Sequence, residues 1–332
     1  MAAPDLHAAP DFHPKRSLAA RIVSAYGQEI VIAAAIVALF VVVSTINPRF
    51  LGTNNLNTII AGNAYIAVAA IGMSMVIITG QIDVSVGALI GVLATISGNL
   101  AVSGAPVWIA WIAPVFIGAA ISGVTGALVA YGRLPSIVVT LGMLSILKGG
   151  LVSVTGGAWI NHLPPAFQLA QQRWLGLPVP IWFMVALTLL AFLWMRNTAF
   201  GRSLYAIGGN PEAARAAGIP VERRIVQTFM IHGAFAGIAT MIFATQLRVI
   251  QSTVPPNLEL TIITASVIGG VSILGGTGTV IGSTLAAILF AAIGSAMIFV
   301  NVSAYWLRAV IGFLILVTVL VDMARRNREF RQ

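Results

Sequence analysis

Long apolar runs dominate this chain, and short segments rich in Gly, Pro or charged residues separate them. A helix of about 20 apolar residues is long enough to cross the hydrocarbon core of a bilayer. The pattern therefore predicts about ten membrane-spanning helices and an all-α integral membrane protein. The predicted spans cover residues 29–46, 58–79, 84–102, 107–131, 136–155, 180–196, 225–247, 261–275, 279–300 and 305–321.

The spans divide the chain into one membrane domain, 29–321, a polar N-terminal segment, 1–28, and a C-terminal tail, 322–332. No small-residue cleavage site follows the basic N-terminal segment at signal-peptide distance, which predicts that the first span is not removed. Only 8% of the residues are charged, whereas soluble domains carry about 25%. This composition agrees with burial in lipid.

The basic residues predict which side of the membrane each loop occupies. With ten spans, 13 Lys and Arg residues fall on the side of both termini and 4 on the other side, and Lys148 lies within a span, where it either snorkels or faces the bundle. Cytoplasmic loops carry the excess of positive charge, so both termini and the 197–224 loop are expected in the cytoplasm. The same distribution explains the net charge of +9 without a nucleic-acid partner.

A weak internal repeat relates residues 76–91 to residues 267–282. Five positions of the two segments are identical at an offset of 191. If the repeat is real, each half holds five spans and the second half is inverted, which is a common transporter architecture. The alternative is a chance match among apolar residues.

Three pairs of glycines are spaced four residues apart in or directly beside the predicted spans. This spacing lets helix backbones approach closely, so it indicates a packed bundle before any function. The pairs are Gly87 and Gly91, Gly233 and Gly237, and Gly278 and Gly282.

The 197–224 loop contains a short helix with clear start and stop residues. Asn210 is a good N-cap, Pro211 suits the first helical position, and Glu212 favours the positive end of the helix dipole. Gly218 can adopt the left-handed conformation that ends a helix. Because so short a helix is marginal alone in water, it needs tertiary contacts, which a partner protein could supply. The residues expected to meet that partner are Asn210, Pro211, Glu212, Ala213, Ala214, Arg215, Ala217 and Gly218.

Asp83 is the one acidic residue between Glu29 and Glu212. It lies at the break between the second and third spans, where an ionisable group suggests function. It could instead cap the third span by accepting from backbone N–H groups near Ser85, and the two roles are compatible. Asp83, Ser85 and the glycines at 87, 91, 278 and 282 are the candidates for gating or structure. Among the histidines, His232 is expected to be a hydrogen-bonded bundle residue.

Several enzyme classes lack their motifs here. The chain has no cysteine, no His-Glu-x-x-His and no Gly-x-Ser-x-Gly. Neither Lys15 nor Lys148 lies in a phosphate-binding loop, so the chain is not expected to hydrolyse ATP by that route. No metal site or cofactor is predicted in it. Since the spans hold roughly one acid, proton coupling is disfavoured as well.

Three segments together resemble the ribose-type permeases of ABC importers. They are "GQIDVSVGALIG", "GRSLYAIGGNPEAARAAGI" and "VIGGVSILGGTGTVIGSTLAA", which lie within residues 80–286. Gln81 departs from the glycine that the family often has there. The pattern Thr-Gly-Gly-x-Trp-Ile-x-x-Leu-Pro at 155–164 is similar to permeases for rhamnose and for autoinducer-2.

The resemblance implies an inner-membrane permease for a monosaccharide, with no enzymatic activity of its own. It implies a cytoplasmic ATPase that binds ATP and Mg and docks on the short coupling helix, a periplasmic sugar-binding protein, and a second permease copy or sister permease. An autoinducer-2 importer and a self-contained secondary carrier remain as alternatives.

Overall fold

The computed structural model describes residues 18–320, except 304, 308, 315, 318 and 319. Residues 1–17 of the predicted N-terminal segment and the whole predicted tail, 322–332, therefore lie outside the described residues. The described chain is mostly helical. The helices are α1 (Leu18–Ile46), α2 (Thr53–Ile60), α3 (Ala64–Ile78), α4 (Val86–Val102), α5 (Val107–Ala130), α6 (Ser136–Thr155), α7 (Val179–Asn197), α8 (Ala199–Gly209), α9 (Pro211–Ala216), α10 (Val221–Ala244), α11 (Leu258–Ile268) and α12 (Val280–Phe299).

Other regular structure is short. Three 3₁₀ helices cover Pro48–Leu51, Pro165–Phe167 and Leu169–Gln171, and four strands cover β1 (Trp159–Ile160), β2 (Arg173–Trp174), β3 (Leu177–Pro178) and β4 (Ile250–Gln251). β1 pairs antiparallel with β4 and ties two loops together at the end of the bundle opposite α9. β2 pairs antiparallel with β3. None of these strands was predicted from the sequence, because a two-residue strand is too short to show an alternation of apolar and polar residues.

Seven segments among the described residues are long and apolar enough to cross a membrane. They are Tyr26–Ile46, Thr53–Ile78, Val107–Ala130, Ser136–Thr155, Val179–Asn197, Val221–Ala244 and Val280–Phe299. The all-α membrane class is thus confirmed. Val86–Val102 and Leu258–Ile268 are shorter apolar helices, and residues 306–320 are helical wherever they are described.

The predicted eighth span, 261–275, is wrong in extent. α11 has 11 residues and ends at Ile268, so it is about 16 Å long, roughly half the thickness of the hydrocarbon core. The chain beyond it turns at Gly270, whose φ is +100°, a conformation that glycine adopts without steric cost.

α3 forms the centre of the bundle. Fourteen of its residues are buried, and it packs against α7, α10, α11 and α12. Beside it, α5 and α10 cross at very short range: a Cβ placed on Gly233 would lie 2.1 Å from the carbonyl oxygen of Gly118, and one on Gly237 would lie 2.4 Å from that of Pro114. The close packing predicted for Gly233 and Gly237 is therefore confirmed.

Two helix breaks interrupt the core. The first break, residues 79–85, separates α3 from α4, and the second break, residues 269–279, separates α11 from α12. These are the segments that the sequence repeat aligns. Each aligned segment therefore contains the end of one helix, a break and the region where the next helix begins.

Candidate functional site around the short helix and the two helix breaks

The start and end of α9 follow the sequence prediction. The Asn210 side chain accepts a hydrogen bond from the Ala213 amide at 3.0 Å, and Pro211 occupies the first helical position. At the other end, Gly218 has φ +81°. The Gly218 amide donates to the Arg215 carbonyl and the Ile219 amide to the Ala214 carbonyl, which together form a Schellman cap.

α9 is held by its own chain. The Ala214 side chain is 4% exposed and belongs to an apolar cluster with Ile207, Val221 and Ile225. Ala214 is thus not accessible to a partner, which corrects its inclusion in the predicted contact set. The stabilising contacts that the sequence analysis sought from a partner come instead from α8 and α10.

Arg215 adds a small ion-pair network to this packing. Its guanidinium donates to Glu222 at 2.7 Å and to Glu212 at 2.8 Å. These hydrogen bonds, to Glu222 first and then to Glu212, raise the pKa of Arg215 above its ordinary value. Because the Glu212 side chain is 85% exposed, the pair with Glu212 contributes little to stability. Every residue of the predicted contact set except Ala214 is exposed.

A cleft of roughly 700 Å³ opens beside α9. The turn between α5 and α6, the start of the first break and the start of α10 form its other walls, with Arg133, Gln81 and Glu222 among the polar lining residues. No carboxylate among the described residues forms an ion pair with Arg133. The exposed face of α9 and this cleft therefore form one continuous surface, on which Arg133 is outside any ion pair of the described residues but attracts the Glu222 carboxylate through space.

Asp83 accepts hydrogen bonds from Ser85, the residue directly before α4. Its Oδ1 accepts from the Ser85 amide at 2.8 Å and from the Ser85 hydroxyl at 2.5 Å. The predicted hydrogen bond from the Ser85 amide is therefore confirmed, whereas the N-cap position of α4 is Ser85 rather than Asp83. In addition, the Ile82 amide donates to the Ser136 hydroxyl at 3.2 Å, which ties the break to α6.

The other oxygen of Asp83 faces His232. The Oδ2 of Asp83 lies 3.5 Å from Nε2 of His232, and both side chains are completely buried. Neither ring nitrogen of His232 has a hydrogen-bond partner among the described residues, so the prediction that His232 is hydrogen-bonded is wrong. This contact between Asp83 and His232 was not predictable from the sequence, because α10 brings His232 to the first break from a distant part of the chain.

α1 and α8 contact the second break. The Thr279 hydroxyl donates to the Glu29 carboxylate, and the Gln28 side chain donates to the Ile268 carbonyl at 3.1 Å. From α8, the Tyr205 hydroxyl donates to the Gly278 carbonyl at 3.0 Å, and burial raises the pKa of that hydroxyl. Sequence reasoning missed Glu29, which it treated only as the boundary of the first span.

The two breaks also meet each other. The amide of Gly276, in the second break, donates to the carbonyl of Ile78, the last residue of α3, at 2.9 Å. Deeper in the bundle, the hydroxyls of Ser74 and Ser283 lie 2.6 Å apart. The second break and α12 are therefore tied to α3, directly before the first break.

The predicted glycine pairs lie at close contacts around the breaks. A Cβ on Gly87 would lie 2.9 Å from the Glu259 amide, and one on Gly282 would lie 1.8 Å from the Gly269 carbonyl oxygen. Gly91 faces Val254, and Gly278 faces Val271. These contacts explain why small residues are needed there, and a role in gating stays a prediction. Among the described residues, no group of three or more His, Asp or Glu side chains could hold a metal ion.

The sequence of the chain matches the model of a known protein family. The model of the family described as "Branched-chain amino acid transport system / permease component" matches residues 55–319, which is most of the chain. The chain belongs to this permease family. Seven apolar helices and this membership together make it a multi-pass membrane permease of the inner membrane.

Curated relatives of this permease cover nearly its whole length. It is 35% identical over 289 residues to the autoinducer 2 import system permease protein LsrC of Salmonella typhi, which covers 87% of this chain and 83% of the relative. It is 33% identical over 297 residues to the LsrC protein of Photorhabdus luminescens, with 89% of each chain covered. The LsrC protein of Shigella flexneri is 33% identical over 296 residues, with 89% of this chain and 86% of the relative covered. No solved structure matches the chain.

Proposed function

We propose that this permease is the membrane subunit of an ATP-driven importer for a monosaccharide of the rhamnose or ribose type. A periplasmic binding protein delivers the substrate, and a separate cytoplasmic subunit binds ATP and Mg. Family membership supports this class of transport. The observation that carries the ATPase coupling is α9, which is fixed at both ends and presents Ala213 and Ala217 to solvent.

The substrate could instead be autoinducer-2. The three relatives described above are named as permeases of autoinducer 2 import systems, and that name favours this second candidate. Vesicle uptake with binding protein loaded with L-rhamnose, D-ribose or autoinducer-2 would separate the two candidates. Whether the substrate is a monosaccharide or autoinducer-2, we expect genes for an ATPase, a binding protein and a sugar kinase or isomerase beside the permease gene.

The docking surface for the ATPase is the exposed face of α9 together with the cleft beside it. Arg133 lies at the cleft without an ion-pair partner among the described residues, so an acidic side chain of the ATPase would find a complementary charge there. On the proposed topology, ten spans with both termini in the cytoplasm, this surface faces the cytoplasm. The helix–break–helix pattern shared by the two repeat segments supports two inverted halves of five spans each.

α6 is the surface proposed for a second permease copy or a sister permease. Only Ser136, Thr140 and Leu151 of this helix are buried. Its exposed side carries Gly142, Ser145, Lys148 and Gly149, so Lys148 faces away from the bundle rather than into it. A charged side chain on a lipid-facing helix is costly, which favours a protein partner on this side.

The ATPase-docking proposal is tested with Ala213→Arg and Ala217→Arg. Each should abolish co-purification of the ATPase and leave membrane insertion intact, because both side chains lie on the exposed face of α9. The matched control is Ala158→Arg, an exposed alanine at the opposite end of the bundle, which should leave co-purification unchanged. Substrate uptake by the chain alone in ATP-free vesicles would contradict the proposal and identify a secondary carrier.

A further inference from the structure

The end of α8 makes a backbone contact that leaves no room for a side chain. A Cβ placed on Gly208 would lie 1.8 Å from the carbonyl oxygen of Ile78 and 2.4 Å from the amide nitrogen of Gly276. These two atoms are the partners of the hydrogen bond that joins α3 to the second break. Gly208 therefore sits directly on that hydrogen bond.

The first break meets the same point. A Cβ on Gly275 would lie 2.9 Å from the Cα of Gly80 and 3.1 Å from the Cα of Gly208. Three backbone segments thus touch without an intervening side chain: the end of α8, the first break and the second break. Close-packed protein has low compressibility and transmits strain, and backbone in direct contact has no rotamers that could absorb a displacement.

Tyr205 provides a second connection one turn earlier in α8. Its hydroxyl donates to the carbonyl of Gly278, in the second break, at 3.0 Å. α8 is also joined closely to the short helix, since Asn210 alone lies between the end of α8 and the start of α9. Because no flexible linker separates the two helices, a displacement of α9 also displaces the end of α8.

We propose that the end of α8 is a transmission junction, through which movement of α9 reaches both helix breaks at the same time. Gly208 and Tyr205 are its positioning residues: they act on the breaks and touch neither nucleotide nor substrate. The inference rests on the proposed function, since it takes α9 as the element that the ATPase moves. Beyond that function, the junction would make the first and the second break move together when the ATPase moves α9.

The experiment uses one reporter cysteine in the full permease–ATPase complex. The chain has no native cysteine, so Leu274→Cys, at an exposed position of the second break outside the cleft, would be the single thiol of the permease. Its maleimide-labelling rate is measured in a complex with a cysteine-free ATPase, without nucleotide and with a non-hydrolysable ATP analogue. In the permease that carries only the reporter cysteine, the non-hydrolysable ATP analogue should change the rate of labelling.

Gly208→Ala should abolish this nucleotide-dependent change while the ATPase still co-purifies and binds the analogue. The control is Gly209→Ala, because a Cβ there meets nothing within 4 Å, and it should keep the full change. Tyr205→Phe removes one hydrogen bond without a new contact and should reduce the change in a folded protein.

The outcomes separate the two proposals. A full change in Gly208→Ala or in Tyr205→Phe would overturn the junction, as would its loss in Gly209→Ala. Failure of the ATPase to co-purify with the reporter permease would instead refute the proposed function, and the junction with it. Should Gly208→Ala fail to fold, Tyr205→Phe decides the matter alone.

Discussion

The carboxylate of Asp83 is shared between the turn before α4 and a histidine. One oxygen accepts two hydrogen bonds from Ser85, and the other faces His232 at 3.5 Å in a fully buried site. A buried polar group that loses its partner costs more free energy than the net value of the hydrogen bond it had made. For the free energy of unfolding, it therefore matters more whether the new side chain still accepts a hydrogen bond than whether it carries the charge of Asp83.

At Asp83 we expect two substitutions to differ clearly. Asp83→Asn keeps an acceptor for Ser85, so it should lower the free energy of unfolding by about 1 kcal/mol or less and should keep transport. Asp83→Ala leaves the Ser85 amide without its acceptor and His232 without its neighbour, and should cost about 1–3 kcal/mol. Thermal unfolding in detergent and vesicle uptake would measure both effects.

Glu212→Ala is the control for these variants, since that exposed carboxylate should contribute within about 0.5 kcal/mol. Equal unfolding midpoints for Asp83→Ala and Glu212→Ala would contradict the assignment. Normal folding of Asp83→Asn with lost uptake would show that the charge of Asp83 acts in gating.

At the scale of elements, the caps of α9 should decide its local stability. Removing an N-cap costs about 0.5–2 kcal/mol, so Asn210→Ala should speed hydrogen exchange of the Ala213 amide by about 2- to 30-fold. Amide exchange read by mass spectrometry would measure this. Thr198→Ala removes the matching cap of α8, where the Thr198 side chain accepts from the Gly201 amide, and should leave the Ala213 region unchanged. Unaltered exchange in Asn210→Ala would mean that tertiary packing alone holds α9.

Elements were predictable from sequence where the local pattern determines them. The ends of α9 followed from Asn210, Pro211 and Gly218, whose effects act within one turn. α11 was predicted too long because apolar residues continue past its end, whereas the chain turns at Gly270, whose φ is +100°. α8 was not recognised, since an 11-residue amphipathic helix next to a cap residue resembles a loop.

For the whole molecule, the proposed topology can be tested with single cysteines. Ala158→Cys and Ala217→Cys lie at opposite ends of the bundle, both on exposed positions, and the cysteine-free background gives no other labelling within the chain. In intact spheroplasts a membrane-impermeant maleimide should label Ala158→Cys, and Ala217→Cys only after lysis. The reverse pattern would contradict the charge-based orientation.

Contacts that join distant parts of the chain were beyond the sequence analysis. The pairs Asp83 and His232, Glu29 and Thr279, and Gly208 and Gly276 each depend on how several helices pack at once. Hydrophobic pattern identifies which segments are buried, yet it does not state which buried segments meet. The sequence could therefore predict the membrane class and the short helix, but not the network around the breaks.

The double capping of α9 has a consequence for the speed and strength of ATPase binding. A recognition segment that folds only on contact spends part of its interaction free energy on ordering itself. α9 is already ordered by its caps, by Ala214 and by Arg215. We therefore expect the ATPase to meet a preorganised surface, so that the free energy of their contact goes into affinity rather than into folding a helix.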